Sequence, residues 1–231
     1  MTKKKYFVFL FSIFLFSSVH SQVKKDSLQM HFNFQYKSSP LAIQKKYTTV
    51  SDTLEIETVK FYVSNIEVQY ADNTRFQPKN NYHLIDLELP NSWSIPIDEK
   101  QNKSISKVSF NIGVDSIASV SGALSGDLDP AKGMYWAWQS GYINMKIEGK
   151  SNSCKTRKNE FHFHLGGYLK PNNALRKVVL ETKEPSEYIS IAVDLEKLFS
   201  EIVLSKTNSI MIPGAQAMML SDLATKMFQI E

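Results

Sequence analysis

The sequence predicts a mainly β protein, an antiparallel β-sandwich with a C-terminal helix. Several short segments alternate apolar and polar residues, as half-buried strands do, and clusters of Gly, Pro, Asp and Ser separate them. The segments do not alternate regularly with helices, as they would in a parallel sheet, and this favours a sandwich. About 210 residues remain after a predicted N-terminal signal, enough for one core, so we predict a single domain over residues 22–231.

The first predicted strand, Leu28–Tyr36, shows the alternation most clearly. In the second, Val59–Tyr70, the apolar period slips at Ser64-Asn65, which predicts a bulge or bend. A later strand, Met134–Glu148, is long and aromatic, with an interruption predicted at Ser140-Gly141. The remaining predicted strands are Tyr82–Leu89, Lys107–Val114, Glu160–Leu169, Val178–Leu180 and Tyr188–Val193.

Two segments favour helix. Asp194–Phe199 predicts a short helix before a polar loop. Pro213–Phe228 begins with proline, which suits the first turn of a helix, and carries apolar residues at i, i+3, i+4 and i+7 from Leu220. We therefore expect a C-terminal helix that packs on the sheets.

The N-terminus resembles a secretory signal peptide. A positive region of three lysines precedes the apolar run Tyr6–Phe16, and small residues follow up to a predicted cleavage after Ser21. The run is shorter than the roughly 20 residues that span a bilayer, so no stable membrane span is expected. We predict a signal peptide over residues 1–21 and a periplasmic or outer-surface location, the alternative being a short anchor that is not removed.

Charge and cysteine content argue against nucleic-acid binding and against a cysteine-based metal site. The formal net charge of +4 falls to +1 without residues 1–21, because that segment holds three lysines and no acid. No basic stripe with interleaved aromatic residues remains, so nucleic acid is not an expected partner. Cys154 is the only cysteine, which excludes an internal disulfide; without a second cysteine at ligand spacing, an incidental loop thiol is the simpler interpretation.

A His-x-His pair is the first candidate for chemistry. In the segment Phe161–Gly167 (FHFHLGG), His162 and His164 point to one face of a strand, and Phe161 and Phe163 to the other. Two imidazoles on one face are able to bind one metal ion, and imidazole suits copper, zinc, iron and nickel. The alternative is two polar residues on a solvent-facing side of a sheet.

The aromatic segment Met134–Tyr142 (MYWAWQSGY) is the second candidate. On a strand, Trp136 and Trp138 share a face, and such pairs commonly pack in a sandwich core. Methionine thioethers are potential copper(I) ligands, although a methionine-rich helix more commonly packs in a core. The methionines concerned are Met211, Met218, Met219 and Met227.

No sequence motif indicates an enzyme. There is no G-x-S-x-G elbow, no H-E-x-x-H and no phosphate-binding or dinucleotide fingerprint. Turn formation before Pro130 explains Asp127 and Asp129 more simply than a calcium loop. A metal-dependent hydrolase would need a general base, and we interpret the nearest acids, Glu148 and Glu160, as solvated strand ends.

Five segments together carry a resemblance to a known family. The two longest are GDLDPAKGMYWAWQSGYINMKIEG at 126–149 and FHFHLGG at 161–167. FYVSNIEV at 61–68, YHLIDLE at 82–88 and ATKMF at 224–228 extend it over most of residues 28–231. The chain thereby resembles the MbnP-like family, exported copper-binding proteins that are abundant in Bacteroidetes.

The resemblance implies a β-rich periplasmic or surface protein that binds copper and is not an enzyme. It also implies a partner, a diheme protein of the MauG and cytochrome c peroxidase type, that oxidises a family tryptophan to kynurenine. Related copper proteins bind copper(I) through histidines and the kynurenine amine. On this chain the candidate modified residue is Trp136 or Trp138, His164 is the first metal ligand, and His162 and His31 compete for the second position.

Two functions therefore stand side by side. The first is an exported copper-binding protein with histidine ligands and an oxidised tryptophan. The second is a non-enzymatic adhesion or protein-binding β-sandwich in which the Trp and His motifs are structural. Metal content and the state of the tryptophans distinguish them.

Overall fold

A computed structural model describes residues 27–79, 82–99, 103–139 and 141–231. The predicted signal peptide lies outside these residues. Among the helices in the described part of the chain, none is long and apolar enough to cross a membrane. In chain order, the strands are β1 (Ser27–Tyr36), β2 (Ser39–Pro40), β3 (Lys46–Thr48), β4 (Thr53–Tyr70), β5 (Arg75–Phe76), β6 (Tyr82–Asp86), β7 (Ser94–Glu99), β8 (Ile105–Ile112), β9 (Tyr135–Trp136), β10 (Gly141–Ser151), β11 (Glu160–Gly166), β12 (Arg176–Ser186), β13 (Ile189–Asp194), β14 (Ser209–Ile210) and β15 (Phe228–Ile230). The α-helices are α1 (Ser116–Val120), α2 (Glu196–Phe199) and α3 (Ala215–Ala224).

The strands form two sheets. The smaller sheet has the order β15-β13-β1-β2, with β7 also paired to β1. The larger has the order β12-β8-β4-β10-β11-β14; β3, β5 and β6 pair with β4, and β9 pairs with β10. Most pairs are antiparallel, whereas β1–β13 and β11–β14 are parallel. The predicted β-sandwich is confirmed, and so is the irregularity near Asn65, where φ is positive and the β4–β8 register shifts.

The main core contains aromatic side chains from both sheets. The ring of Phe32 on β1 meets those of Phe61 on β4 and Phe110 on β8 edge-on, with centroids 5.6 and 5.8 Å apart. Phe228 on β15 meets Phe61 at 5.3 Å. Edge-to-face packing of this kind adds about 0.5–1.5 kcal/mol per pair beyond the area buried. The alternation read from the sequence of β1 thus places its phenylalanines in the core.

A second, smaller core contains Tyr62, the neighbour of Phe61 on β4 that points to the opposite face of the sheet. The connection between β8 and β10 contributes Met134 and Trp136 to it. Two tyrosine hydroxyls hydrogen-bond this connection to the sheet. Tyr62 donates to the carbonyl of Asp127 at 3.0 Å, and Tyr142 donates to the carbonyl of Leu128 at 3.0 Å. The second core thereby fixes the aromatic segment on the outer face of the larger sheet.

Several predicted elements differ in extent from the structure: Tyr82–Leu89 ends at Asp86, Glu160–Leu169 ends at Gly166, and Val178–Leu180 lengthens to Arg176–Ser186. Met134–Glu148 is interrupted, as predicted, but the break begins earlier, because β9 ends at Trp136 and turn residues follow before β10 begins at Gly141. The predicted helix Pro213–Phe228 is shorter, because α3 ends at Ala224, a 3-10 turn follows, and Phe228 leaves the helix to pair in the smaller sheet. Cys154 is buried, with Sγ 3.9 Å from the carbonyl oxygen of Leu204.

Candidate metal centre

Strand β11 separates its side chains cleanly between two environments. Phe161, Phe163 and Leu165 are buried in the main core. His162 and His164 occupy the intervening positions, so they point to the outer face of the larger sheet. The sequence pattern therefore gives the two imidazoles a common face, as predicted.

Glu148 on β10 completes the cluster. It is directly opposite His162 in the antiparallel register. Its Oε1 atom is 2.6 Å from His164 Nε2 and 3.4 Å from His162 Nδ1. One ligand atom from each of the three residues lies within 4.8 Å of the others. A single carboxylate thus joins the two imidazoles.

The charge of the cluster is set by hydrogen bonding. The bond with His164 holds the pKa of Glu148 at about 2, against the opposing effect of burial. Burial lowers the pKa of the neighbouring Lys146, whose ammonium donates to the carbonyl of Gly133 at 2.5 Å. On the other side, Glu160 Oε2 is 3.6 Å from His162 Nε2. An ionised carboxylate consequently stays between the histidines at neutral pH.

The donor set suits a borderline transition metal. Two neutral imidazoles and one carboxylate are ligand types for copper and zinc. A carboxylate beside the second nitrogen of His162 is also the usual means by which proteins orient a metal-binding imidazole. Because the three ligand atoms lie within 4.8 Å of one another, these residues fit an ion such as copper or zinc.

The third predicted histidine lies elsewhere. His31 is on β1 in the smaller sheet, and its Nδ1 is 2.7 Å from the hydroxyl of Ser94 on β7. It takes no part in the cluster of Glu148, His162 and His164. The structure thus brings two of the three predicted histidines together.

The two tryptophans occupy different positions. Trp136 is buried in the second core, and its six-membered ring covers Gly166, two residues along β11 from His164. Trp138 lies in the turn after β9 with 65% of its surface exposed, although its ring centroid is only 5.8 Å from that of Trp136. The expectation that both share one strand face is wrong. The Trp136 ring lies against β11 on the face that carries His162 and His164.

Glu148 is the site residue that sequence reasoning missed. Its interpretation as a solvated strand end is wrong, because it lies within β10 with only 27% of its side chain exposed. The acid and the histidines are separated by a loop in the sequence. Only the antiparallel pairing of β10 with β11 makes them neighbours, and a prediction of that hairpin register would have identified Glu148.

Comparisons with known proteins agree with this architecture. The protein-family model MbnP matches residues 25–212 of the chain. Among solved structures, MbnP from Methylosinus trichosporium is similar, with a TM-score of 0.58 and 14% sequence identity; the alignment covers 84% of this chain and 83% of that one. At this identity the likeness shows the fold. A search of curated proteins finds no match.

Proposed function

The chain belongs to the MbnP family, and we propose that it is an exported copper-binding protein whose metal site is formed by Glu148, His162 and His164. Membership of this family suggests a copper-related role. The observation that carries the proposal is the convergence of two imidazoles on one carboxylate. Such a cluster is able to bind an ion, and the proposed binding role, unlike that of a hydrolase, requires no general base.

Each residue has a distinct part in this proposal. His164 is buried and its Nε2–H donates to Glu148, so an ion that replaces this proton would be held between the same two side chains. His162 is more exposed and supplies the second nitrogen, with Glu160 beside it as the orienting carboxylate. Glu148 provides negative charge that partly neutralises the ion. A bound copper ion would supply a redox-active centre, and the protein would determine the geometry of its ligands.

Removing the imidazoles tests the proposal. We expect the double variant His162→Ala/His164→Ala to lose copper, with affinity falling by roughly tenfold to a hundredfold or more, since loss of even an outer partner typically costs that much. Competition titration against a chelator and metal content after dialysis are the measurements. Circular dichroism checks that the variant remains folded.

His31→Ala is the matched control for the histidine experiment, because His31 is on the other sheet and outside the cluster. It should keep the wild-type copper affinity. If the double variant binds copper as the wild type does, the site is not at these residues. Wild-type protein without any copper affinity would favour the protein-binding sandwich instead.

We also propose that Trp136 is the residue oxidised to kynurenine by a diheme peroxidase-like partner. Its support is the position of the ring over Gly166, beside the metal-site face, in contrast to exposed Trp138. Oxidation by that partner would open the indole at its C2–C3 bond, and hydrolysis would release the C2 atom as formate. The residue thereby loses one carbon atom and gains one oxygen atom, so peptide mass spectrometry on protein from its native envelope locates the change. The same measurement gives the N-terminus, expected at Gln22. An unchanged Trp136 would refute the modification.

A further inference from the structure

Three loops meet at one end of the larger sheet. They are the β3–β4 turn (residues 49–52), the β10–β11 connection (152–159) and the segment between α2 and β14 (200–208). Asp52 accepts a hydrogen bond from the backbone nitrogen of Leu204 at 3.2 Å, and Cys154 Sγ is 3.9 Å from the Leu204 carbonyl oxygen. All three residues are buried. The loops are therefore joined through Leu204 into one surface, which we call the three-loop end.

An apolar side chain protrudes from the three-loop end. Val50, in the β3–β4 turn, has 97% of its surface exposed, the highest value among the large apolar residues that the structure describes. Hydrogen bonds close this turn, because the Thr49 N–H donates to the Asp52 carbonyl at 2.8 Å and the Thr49 hydroxyl accepts from the Asp52 nitrogen at 2.9 Å. Val203, in the third loop, is 41% exposed. Two of the three loops therefore present a valine to solvent.

The loops that carry these valines are also basic. The β10–β11 connection contains Lys155, Arg157 and Lys158 and no acid, and the third loop contributes Lys206. All four side chains are exposed. Because the formal charge of residues 22–231 is only +1, these four cations are a local concentration of positive charge.

The acids of the same loops leave most of this charge without a partner. Asp52 is buried, and Glu201 pairs with Lys226, after α3, at 2.8 Å. Glu160, at the start of β11, is 3.6 Å from Lys158. The other three cations of the loops form no ion pair with any residue that the structure describes; they are Lys155, Arg157 and Lys206.

We propose that the three-loop end binds the surface of an anionic lipid bilayer, with Val50 among the headgroups and Lys155, Arg157 and Lys206 beside the phosphates. Cations near an anionic membrane surface strengthen binding, and an apolar side chain that enters the headgroup region leaves water. An acidic protein would also attract the cations, but the exposed valine at the tip favours the bilayer. This proposal goes beyond the copper function and does not rest on it.

The test measures co-sedimentation of the full mature protein with lipid vesicles. Vesicles of phosphatidylcholine and phosphatidylglycerol in equal parts supply the anionic surface, and pure phosphatidylcholine is the neutral reference. We expect binding to the anionic vesicles only, and we expect it to weaken as salt is raised, because salt screens exposed charges. The variant Lys155→Gln/Arg157→Gln/Lys206→Gln should bind roughly hundredfold more weakly, because each cation contributes about fivefold.

Two further variants test the surface and the valine separately. Lys170→Gln/Lys177→Gln/Lys183→Gln removes the same charge from exposed lysines outside the three loops, so it should bind nearly as the wild type does. Val50→Ser should weaken binding roughly fivefold, because serine has little apolar surface to remove from water. Circular dichroism checks that each variant is folded.

Three outcomes would overturn the proposal. A wild-type protein that does not bind the anionic vesicles, or binds the neutral ones equally well, would exclude recognition of an anionic bilayer. Equal losses in the two triple variants would show that binding follows the net charge and not this surface. Unchanged binding of Val50→Ser would exclude the valine contact, and the basic loops would then fit an acidic protein instead of a bilayer.

Discussion

At the scale of single residues, the site depends on one carboxylate. Glu148 accepts from His164 at 2.6 Å and lies 3.4 Å from His162, so it positions both imidazoles of the proposed metal site. Its pKa, held at about 2 principally by the bond with His164, means that the negative charge is present at all pH values near neutrality.

This depressed pKa predicts a pH effect on the metal-free protein. A carboxylate whose folded pKa is below its unfolded value stabilises the fold above the unfolded pKa, and that stabilisation disappears as the pH falls through the folded pKa. The free energy of unfolding should therefore fall more steeply between pH of about 4.5 and 2 in the wild type than in Glu148→Gln. Urea unfolding at several pH values in this window measures it.

The comparison needs a second carboxylate variant. Glu67→Gln removes an acid from β4 that pairs with Arg75 on β5, away from the histidines. In this control variant, the free energy of unfolding should still fall more steeply with decreasing pH than it does in Glu148→Gln. Parallel profiles for the wild type and Glu148→Gln would contradict the assigned role of the His164 bond.

At the scale of elements, the site is a property of the β10–β11 hairpin and of what covers it. Register places Glu148 opposite His162 and Lys146 opposite His164. Gly166 then allows Trp136 to approach the same strand, since an added methyl would meet its ring at 2.8 Å and the carbonyl of Tyr142 at 2.7 Å. Glycine at position 166 thus lets the second core contact the face of the sheet that carries the two histidines.

Substitution at this close approach should be costly. We expect Gly166→Ala to destabilise the protein by about 1–3 kcal/mol, as overpacking of a filled site does, and to change the tryptophan fluorescence as Trp136 moves. Chemical denaturation and emission spectra are the measurements. Gly214→Ala is the control, because an added methyl there meets nothing within 4 Å.

A double variant shows whether the ring is responsible. Trp136→Phe shortens the side chain, so Gly166→Ala should cost less in that background, although the contact with the Tyr142 carbonyl remains. Additive effects of the two substitutions would mean that Trp136 and Gly166 do not interact.

At the scale of the whole molecule, the two cores have different structural roles. The main core, with Phe32, Phe61 and Phe110 at its centre, holds the sheets together. The second core attaches the connection between β8 and β10 to the outer face of the larger sheet and leaves the histidine face partly open. The proposed metal site is thereby accessible from solvent through His162.

Local sequence patterns predicted which side chains face the core and where β4 is irregular. The alternation in β1 and β11 predicted which faces enter the core, because side-chain direction in a strand has a period of two. It also predicted that His162 and His164 share a face. The slip at Ser64-Asn65 predicted the irregularity of β4. Each of these features depends on neighbouring residues alone, as does the signal-peptide prediction, which the described residues do not test.

The tertiary structure decided everything that depends on residues distant in sequence. It brought Glu148 next to the two histidines and placed His31 on the other sheet. Because β9 ends at Trp136, Trp136 is buried whereas Trp138 is exposed in the following turn. It also paired β14 with β11 in parallel. The physical reason is that strand pairing and register are non-local: the hydrophobic period states which way a side chain points, but not which strand lies next to it.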